Sequence, residues 1–395
     1  MVTREYPPFS VGGISRHTFE LTKHLEKIDC DCTVVSFGNI TRKQGSLIYL
    51  GTSSDILNTL NRRDKGYLRR FTGDLRILCD IRRLNRYATA IANHDHFDIL
   101  HVQDPIFGPF VKHRNIVTTV HVTRMGELSA LRNSIHCLSD LELAVFFSSF
   151  GLAMDWINIQ KTKVFIAINE HVKNELIHFY KVSPSDIYVV PNGIDIPTYF
   201  SKDTAKSQLG LSYCDNLILA VGRMVPRKCF EVLLQAVAYL KRHDSPEFKV
   251  IIVGEGPLKP RLMRISRTLG VDEIISFVGQ IDDALLRQYY MASDVFVLPS
   301  RYEGHPMTLL EAMANSVCCI ATDIPAVRNT LTPNVDSLLF PVGNYSKLAE
   351  ILRTLVQDKR LRQKLASAAR TKALAFSWER IAERTREIYE IALSQ

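Results

Sequence analysis

The sequence predicts an α/β fold built on doubly wound parallel sheets. Short apolar runs alternate with helical patterns along all 395 residues. The runs are continuously apolar, as in strands buried on both faces, which places them in parallel sheets. The series occurs twice, separated by a polar segment at 201–215 that reads as a linker with a short helix. Two doubly wound domains of similar size, facing each other across a cleft, are the architecture this implies. A hydrophobic fraction of 46% supplies real cores and excludes intrinsic disorder.

Taken in order, the first series places a helix at 15–26 and strands at 32–37 (CTVVSF), 98–102 (DILHV), 115–120 (NIVTTV), 164–167 (VFIA) and 186–190 (DIYVV). From Asp74 a helical stripe runs through Ile77, Ile81, Leu84, Ala88 and Ile91. The second series places strands at 217–221 (LILAV), 248–253 (FKVIIV), 275–278 (ISFV), 295–298 (VFVL) and 318–321 (CCIA). Helices at 231–242, 259–269, 284–291 and 347–357 lie between or after them. No short-period repeat or low-complexity segment interrupts the pattern.

The N-terminal MVTREYPPFSVGG has no apolar core of a secretory signal. The longest charge-free apolar stretch, 143–154, is shorter than the ~20 residues a spanning helix needs. Cysteines stand at 30, 32, 79, 137, 214, 229, 318 and 319 with no CxxC pair, so they read as reduced thiols of a cytoplasmic protein.

Four segments carry chemistry. In LPSRYEGHPMTLLEAMA (298–314) a buried strand ends at Pro299 and a polar loop holds Glu303 and Gly304. A helix then starts near Pro306, a residue suited to a helix start. The amides of Met307, Thr308 and Leu309 would point out of that start and, with the helix dipole, form an anion site apt for a diphosphate. Glu303 and Glu311 beside such a site are costly unless they accept hydrogen bonds from sugar hydroxyls. Two acids in ordinary surface contacts are the plainer alternative.

In LILAVGRMVPRKCFEVLL (217–234) a strand ends at Gly222, and Arg223, Arg227 and Lys228 precede a helix. Cations at the carboxyl end of a parallel strand can stabilise a leaving diphosphate. A solvated basic turn is the alternative. In PPFSVGGISRH (7–17) the pair Gly12 and Gly13 lets backbone approach a ligand, and VGEGP (253–257) is a similar strand–Gly turn. His121 ends a strand in TVHVT, and His101 and Asp104 end another in HVQDP.

Together these segments resemble the retaining glycosyltransferases of family 4, which have the GT-B fold of two Rossmann-like domains. The likeness runs in order through YPPFSVGGISRH, DILHVQDP, TVHVT, INEHVKNEL, VVPNGID, VGRMVPRK, VGEGP, ASDVFVLPS, EGHPMTLLEAMA and FSWERIAERTREIYE. The resemblance implies an acceptor-binding domain over 1–197, a donor-binding domain over 198–377, and a last helix, 378–395, that crosses back to the first domain. It implies that Arg223 and Lys228 hold the donor diphosphate, Glu303 the sugar hydroxyls and Glu311 the ribose. Gly12, Gly13 and the amides after Gly304 approach the phosphates, and His121 lies beside the transferred sugar. It implies no cofactor and no metal, cations and helix amides taking the metal's place.

The donor is then a UDP-, GDP- or ADP-linked sugar and the acceptor a carbohydrate or lipid-linked hydroxyl. The sequence departs from the family at Cys229 for glycine, Asn169 for serine, Pro325, Ala326 and Arg328 for a segment rich in glycine, and Asp336–Ser337 for Asn-Gly. A nucleotide-sugar epimerase of the same fold lacks this pairing of Gly-Arg…Lys with E-x7-E. A non-catalytic sugar-nucleotide binding protein would not need the intact Arg223, Lys228, Glu303 and Glu311.

The formal net charge is +8. The stretch 61–86 alone holds nine Lys and Arg against three Asp, so six of those charges sit on the acceptor half. No aromatic-interleaved groove accompanies them, which removes nucleic acid as a partner. Either they form a solvated helix face or they dock peripherally on an anionic membrane.

Overall fold

The computed structural model describes residues 1–7, 12–38, 41–51, 67–132, 151–197, 201–212, 216–243 and 247–395. Cys137, Cys214, residues 61–66 of the basic run and 143–150 of the apolar stretch lie outside them. The chain divides into two compact units, one of Met1–Gly193 with Trp378–Gln395 and one of Ile194–Ser377.

The first unit holds β1 (Val34–Gly38), β2 (Arg42–Gln44), β3 (Leu47–Gly51), β4 (Leu100–Val102), β5 (Ile116–Val120), β6 (Val164–Ala167) and β7 (Ile187–Val189). β4 to β7 form a parallel sheet in chain order, and β1 pairs with β3 in parallel while β2 pairs with β3 antiparallel. Val2 lies between the two sheets, bridging Val35 on one side and Val102 on the other. Its N–H donates to the His101 carbonyl at 2.7 Å, and its carbonyl accepts from Gln103 at 2.9 Å.

The sequence reading placed no strand at 42–51, because a run such as RKQ offers no apolar signal. β2 is fully exposed and exists only by pairing with β3. The helix Tyr67–His94 turns Ile77, Ile81, Leu84 and Ala88 into the core against Val35, Phe37 and Val102, with Ile91 packed beside them.

The second unit is one parallel sheet of six strands. They are β8 (Leu217–Val221), β9 (Lys249–Val253), β10 (Ile275–Gly279), β11 (Val295–Leu298), β12 (Cys318–Thr322) and β13 (Ser337–Phe340), in the order β10-β9-β8-β11-β12-β13. The order reverses direction between β8 and β11, the place where an open α/β sheet binds ligands at its carboxyl edge. β8 and β11 are buried along their whole length, as their unbroken apolarity requires. Asp294 in the ASDVFVLPS motif registers them, accepting from the Leu217 N–H at 2.9 Å and pairing with Lys202 and Lys206. Its role is therefore structural. β13 and the helix Lys359–Ala373 were not assigned from sequence. The former is short and only half buried, and the latter carries six Lys and Arg among its fifteen residues, which masks the buried stripe of Leu365, Ala366, Ala369 and Ala373.

Candidate functional site

β8 delivers the chain to Gly222 and Arg223 at the carboxyl edge of the second unit's sheet. The VGEGP turn supports this corner from beneath. Gly222 N–H donates to the Val253 carbonyl at 3.0 Å and Met224 N–H to the Glu255 carbonyl at 2.9 Å. Gly254 has φ +131°, and a Cβ there would collide with the Gly222 carbonyl. The second glycine turn is thus a brace for the first.

A short 3₁₀ turn, Pro226–Lys228, follows and ends at Cys229, whose φ of +48° and ψ of +39° are left-handed. This is the position where the resemblance noted in the sequence implies a glycine. A side chain there costs roughly 1–2 kcal/mol in backbone strain. The thiol compensates in part by donating to the Pro226 carbonyl at 3.3 Å and accepting from Arg301 Nε at 3.1 Å. Burial pushes its pKa up, although Arg301 acts to lower it.

Lys228 Nζ lies 2.5 Å from Glu303 Oε1, and Arg227 Nη1 lies 3.2 Å from Oε2. Each carboxylate oxygen therefore has its own cation. Burial works to raise the Glu303 pKa, but Lys228 and Arg227 outweigh it and hold the group below the usual range. Burial lowers the Lys228 pKa against the pull of Glu303. The structure thus joins Lys228 and Glu303, 75 residues apart. It leaves Arg223 exposed at the corner and gives Arg227 the contact with Glu303. Sequence reasoning counted Arg227 among the cations but gave it no role, because nothing in the spacing shows which of three neighbouring cations turns inward.

The helix Met307–Ala314 starts from Pro306 with no side-chain cap. One expectation is corrected here. Leu309 N–H donates to the Pro306 carbonyl at 3.0 Å, because the first turn tightens to an i→i+3 bond. The amide donors of the helix start are therefore Met307 and Thr308, not Leu309. Thr308 Oγ1 is buried beside them and has no hydrogen-bond partner among the described residues. Gly304 and Met307 are buried. Glu311 is buried one turn further on and accepts from the Tyr290 hydroxyl at 2.6 Å, which fixes its carboxylate. Burial pulls the His305 pKa down to about 4, so its ring is neutral. Among the described residues no group of three or more His, Cys, Asp and Glu is arranged to hold a metal ion.

The remaining candidates belong to the first unit. Gly12 and Gly13 are exposed at the start of the helix Gly13–Glu26, which has no side-chain cap. His121, just past β5, is buried and stands edge-on to His17 at 4.7 Å between ring centroids. His17 in turn stands edge-on to Trp378 at 5.5 Å.

His101 and Asp104 have structural work. His101 is clamped between Tyr389 Oη and Thr119 Oγ1, each at 2.7 Å, and burial drives its pKa well below the usual value. Asp104 caps the Pro105–Phe107 turn and pairs with Arg124 at 3.5 Å. Near them burial raises the Asp155 pKa to about 7, against the charge of Arg124. Asn169, where the resemblance implies a serine, accepts from Val172 N–H at 2.8 Å and caps its helix as serine would.

Two family models cover these two units in order. "Glycosyltransferase Family 4" matches residues 11–197, and "Glycosyl transferases group 1" matches 201–372. The chain belongs to glycosyltransferase family 4. This glycosyltransferase is 24% identical to an uncharacterised glycosyltransferase of Methanocaldococcus jannaschii over 100% of its own length and 98% of the relative's. It is 29% identical to the D-inositol 3-phosphate glycosyltransferase of Frankia alni, over 58% of this chain and 59% of that enzyme.

Among solved structures it resembles the sucrose-phosphate synthase of Thermosynechococcus elongatus, with a TM-score of 0.79 and 18% identity over 100% and 98% of the two chains. It also resembles HepE of Anabaena in complex with UDP-glucose, with a TM-score of 0.69 and 17% identity over 100% and 98%. At such identities the likeness shows the fold, which is GT-B with Rossmann-like α/β domains.

Proposed function

We propose that this glycosyltransferase moves a sugar from a nucleoside-diphosphate sugar to an acceptor hydroxyl with retention of anomeric configuration and without a metal ion. The observation that carries the reading is the Lys228–Glu303–Arg227 cluster at the carboxyl edge of the sheet. The helix that begins just after Glu303, at Met307, adds its open amides to the same neighbourhood.

In this reading Lys228, Arg223 and the Met307 and Thr308 amides receive the charge that grows on the departing diphosphate. Glu303 accepts from the sugar hydroxyls, and Glu311, held by Tyr290, accepts from the ribose. The acceptor hydroxyl attacks the anomeric carbon from the face the diphosphate leaves, and a phosphate oxygen takes its proton. His121 and the Gly12 and Gly13 amides, carried by the other unit, are assigned to the transferred sugar and the phosphates on the strength of the family resemblance.

HepE, crystallised with UDP-glucose, makes UDP the first base to try. A thermal-shift screen against UDP-, GDP- and ADP-sugars tests the donor class. A ligand at 100 times its Kd is expected to add about 2.7 kcal/mol of stability. NMR of the transferred sugar then reads the anomeric outcome. An inverted product would overturn the retaining assignment, and no shift with any of the three classes would overturn the donor assignment.

The acceptor half carries a second feature. The helix Tyr67–His94 exposes Arg82, Arg83, Arg86 and Tyr87 opposite its buried stripe. Among the described residues no helix is long and apolar enough to cross a membrane. We assign this basic face to peripheral contact with an anionic lipid surface at the cytoplasmic side, a compartment consistent with the free cysteines at 30, 32, 79, 229, 318 and 319. Co-sedimentation is expected to be stronger with anionic than with neutral vesicles, and to weaken in the triple variant Arg82→Gln, Arg83→Gln, Arg86→Gln. Equal sedimentation with both lipids would sink this assignment.

A further inference from the structure

We infer that Arg227 is the positioning residue of Glu303, the cation that keeps this carboxylate fixed while the donor diphosphate draws on Lys228. The inference rests on the donor site proposed above and goes one step beyond it, since it concerns a residue to which the site assignment gives no role.

The two oxygens of Glu303 are served separately, Oε1 by Lys228 at 2.5 Å and Oε2 by Arg227 at 3.2 Å. The carboxylate side chain is only 6% exposed, so water cannot replace a lost cation. Lys228 is as enclosed as its partner, with a side chain 10% exposed. Its ammonium carries three donors on a flexible stem, and a diphosphate that engages some of them draws it away from the 2.5 Å contact with Oε1. A diphosphate arriving at Lys228 therefore loosens the hold on Oε1 just when Glu303 must stand still to accept sugar hydroxyls.

Arg227 is built to keep hold. Its guanidinium cannot lose its proton and donates along fixed directions. The same Nη1 lies 3.4 Å from the Tyr302 carbonyl, next to Glu303 in the chain. The Arg227 carbonyl accepts from Arg301 N–H at 2.9 Å, so the turn and the loop are tied through backbone as well. Arg227 reaches the carboxylate from the solvent side, its own side chain being 42% exposed, so it can stay on Glu303 when Lys228 turns to the ligand.

The test compares a nucleotide with its sugar by calorimetry, using UDP against UDP-glucose and UDP-N-acetylglucosamine, GDP against GDP-mannose, and ADP against ADP-glucose. It is scored on whichever pair the wild-type protein binds. Arg227→Met is expected to leave nucleotide affinity within about 3-fold and to weaken the nucleotide sugar about 10-fold, the loss of one charged hydrogen bond at the sugar end. Arg227→Lys is expected to recover most of that loss, which also guards against misfolding of the methionine variant. Lys228→Met is expected to weaken nucleotide and nucleotide sugar alike.

In a Glu303→Gln background the Arg227→Met change is expected to add nothing, the coupling that a merely structural arginine would not show. The inference is overturned if Arg227→Met weakens the bare nucleotide as much as Lys228→Met, if it spares the nucleotide sugar, or if its effect adds fully to that of Glu303→Gln. Should Glu303→Gln and Lys228→Met both leave binding unchanged, or the wild type bind none of the pairs, the donor site itself is misassigned and the inference falls with it.

Discussion

Lys228→Met is expected to reduce sugar transfer by about 100-fold or more, the scale seen when one preorganised donor is removed from a developing anion. Methionine keeps most of the side chain's length and fills the same buried path, so the change removes charge more than volume. Two consequences follow from the geometry. The diphosphate loses the one enclosed ammonium of the Gly222–Cys229 corner, leaving exposed Arg223 and the Met307 and Thr308 amides to meet it. Glu303 loses its 2.5 Å partner while remaining buried. Breaking a buried pair costs about 3–5 kcal/mol when nothing takes the lost partner's place. Because Arg227 still holds Oε2, the expected loss of folding stability is smaller, about 2 kcal/mol.

The double variant Lys228→Met, Glu303→Gln is therefore expected to regain stability in urea but no activity. Initial rates of nucleotide release and urea midpoints read the two effects apart. Turnover within threefold of wild type in Lys228→Met would show that the diphosphate is stabilised elsewhere.

The architecture was legible because parallel strands buried on both faces leave an unbroken apolar signature, and LILAV, VIIV and VFVL carry it. β2 and β13 escaped for the opposite reason, since an exposed or half-buried edge strand is defined by its partner rather than by its own composition. At the site, spacing brought out Glu303, Glu311 and Lys228, because strand ends and helix starts fall where the motifs do. It could not show that Arg227 reaches Glu303. Side-chain direction in an irregular turn depends on backbone angles such as the left-handed Cys229, and these are tertiary facts. Nor could it show that Leu309's amide is taken by Pro306, since an i→i+3 first turn reads the same in sequence as an i→i+4 one. Tyr290 was missed as the anchor of Glu311 because it lies on a different helix, Asp283–Ala292, and its hydroxyl alone betrays the role.

Gly193→Ala is expected to destabilise the first unit by about 2–3 kcal/mol, as overpacking of a well-filled core does. The glycine of VVPNGID and the tryptophan of FSWERI are 185 positions apart, and the fold makes them one contact. A Cβ on Gly193 would come within 3 Å of three indole atoms of Trp378, and the indole is 1% exposed with nowhere to retreat. On its other side it meets His17 at 5.5 Å, and His17 meets His121 at 4.7 Å, so any displacement of the ring is passed toward His121.

Trp378→Ala is expected to cost about 3–5 kcal/mol by itself, the range for truncating a buried aromatic. Alanine at both positions should remove the clash, so that Gly193→Ala costs almost nothing in the Trp378→Ala background. The measurement is well isolated, because both tryptophans, exposed Trp156 and buried Trp378, lie in the first unit. Tryptophan fluorescence in urea therefore follows that unit, and Trp156 remains as a reporter when Trp378 is gone. If Gly193→Ala costs as much with Trp378 absent as with it present, the cost does not arise from the indole, and the contact between them is incidental.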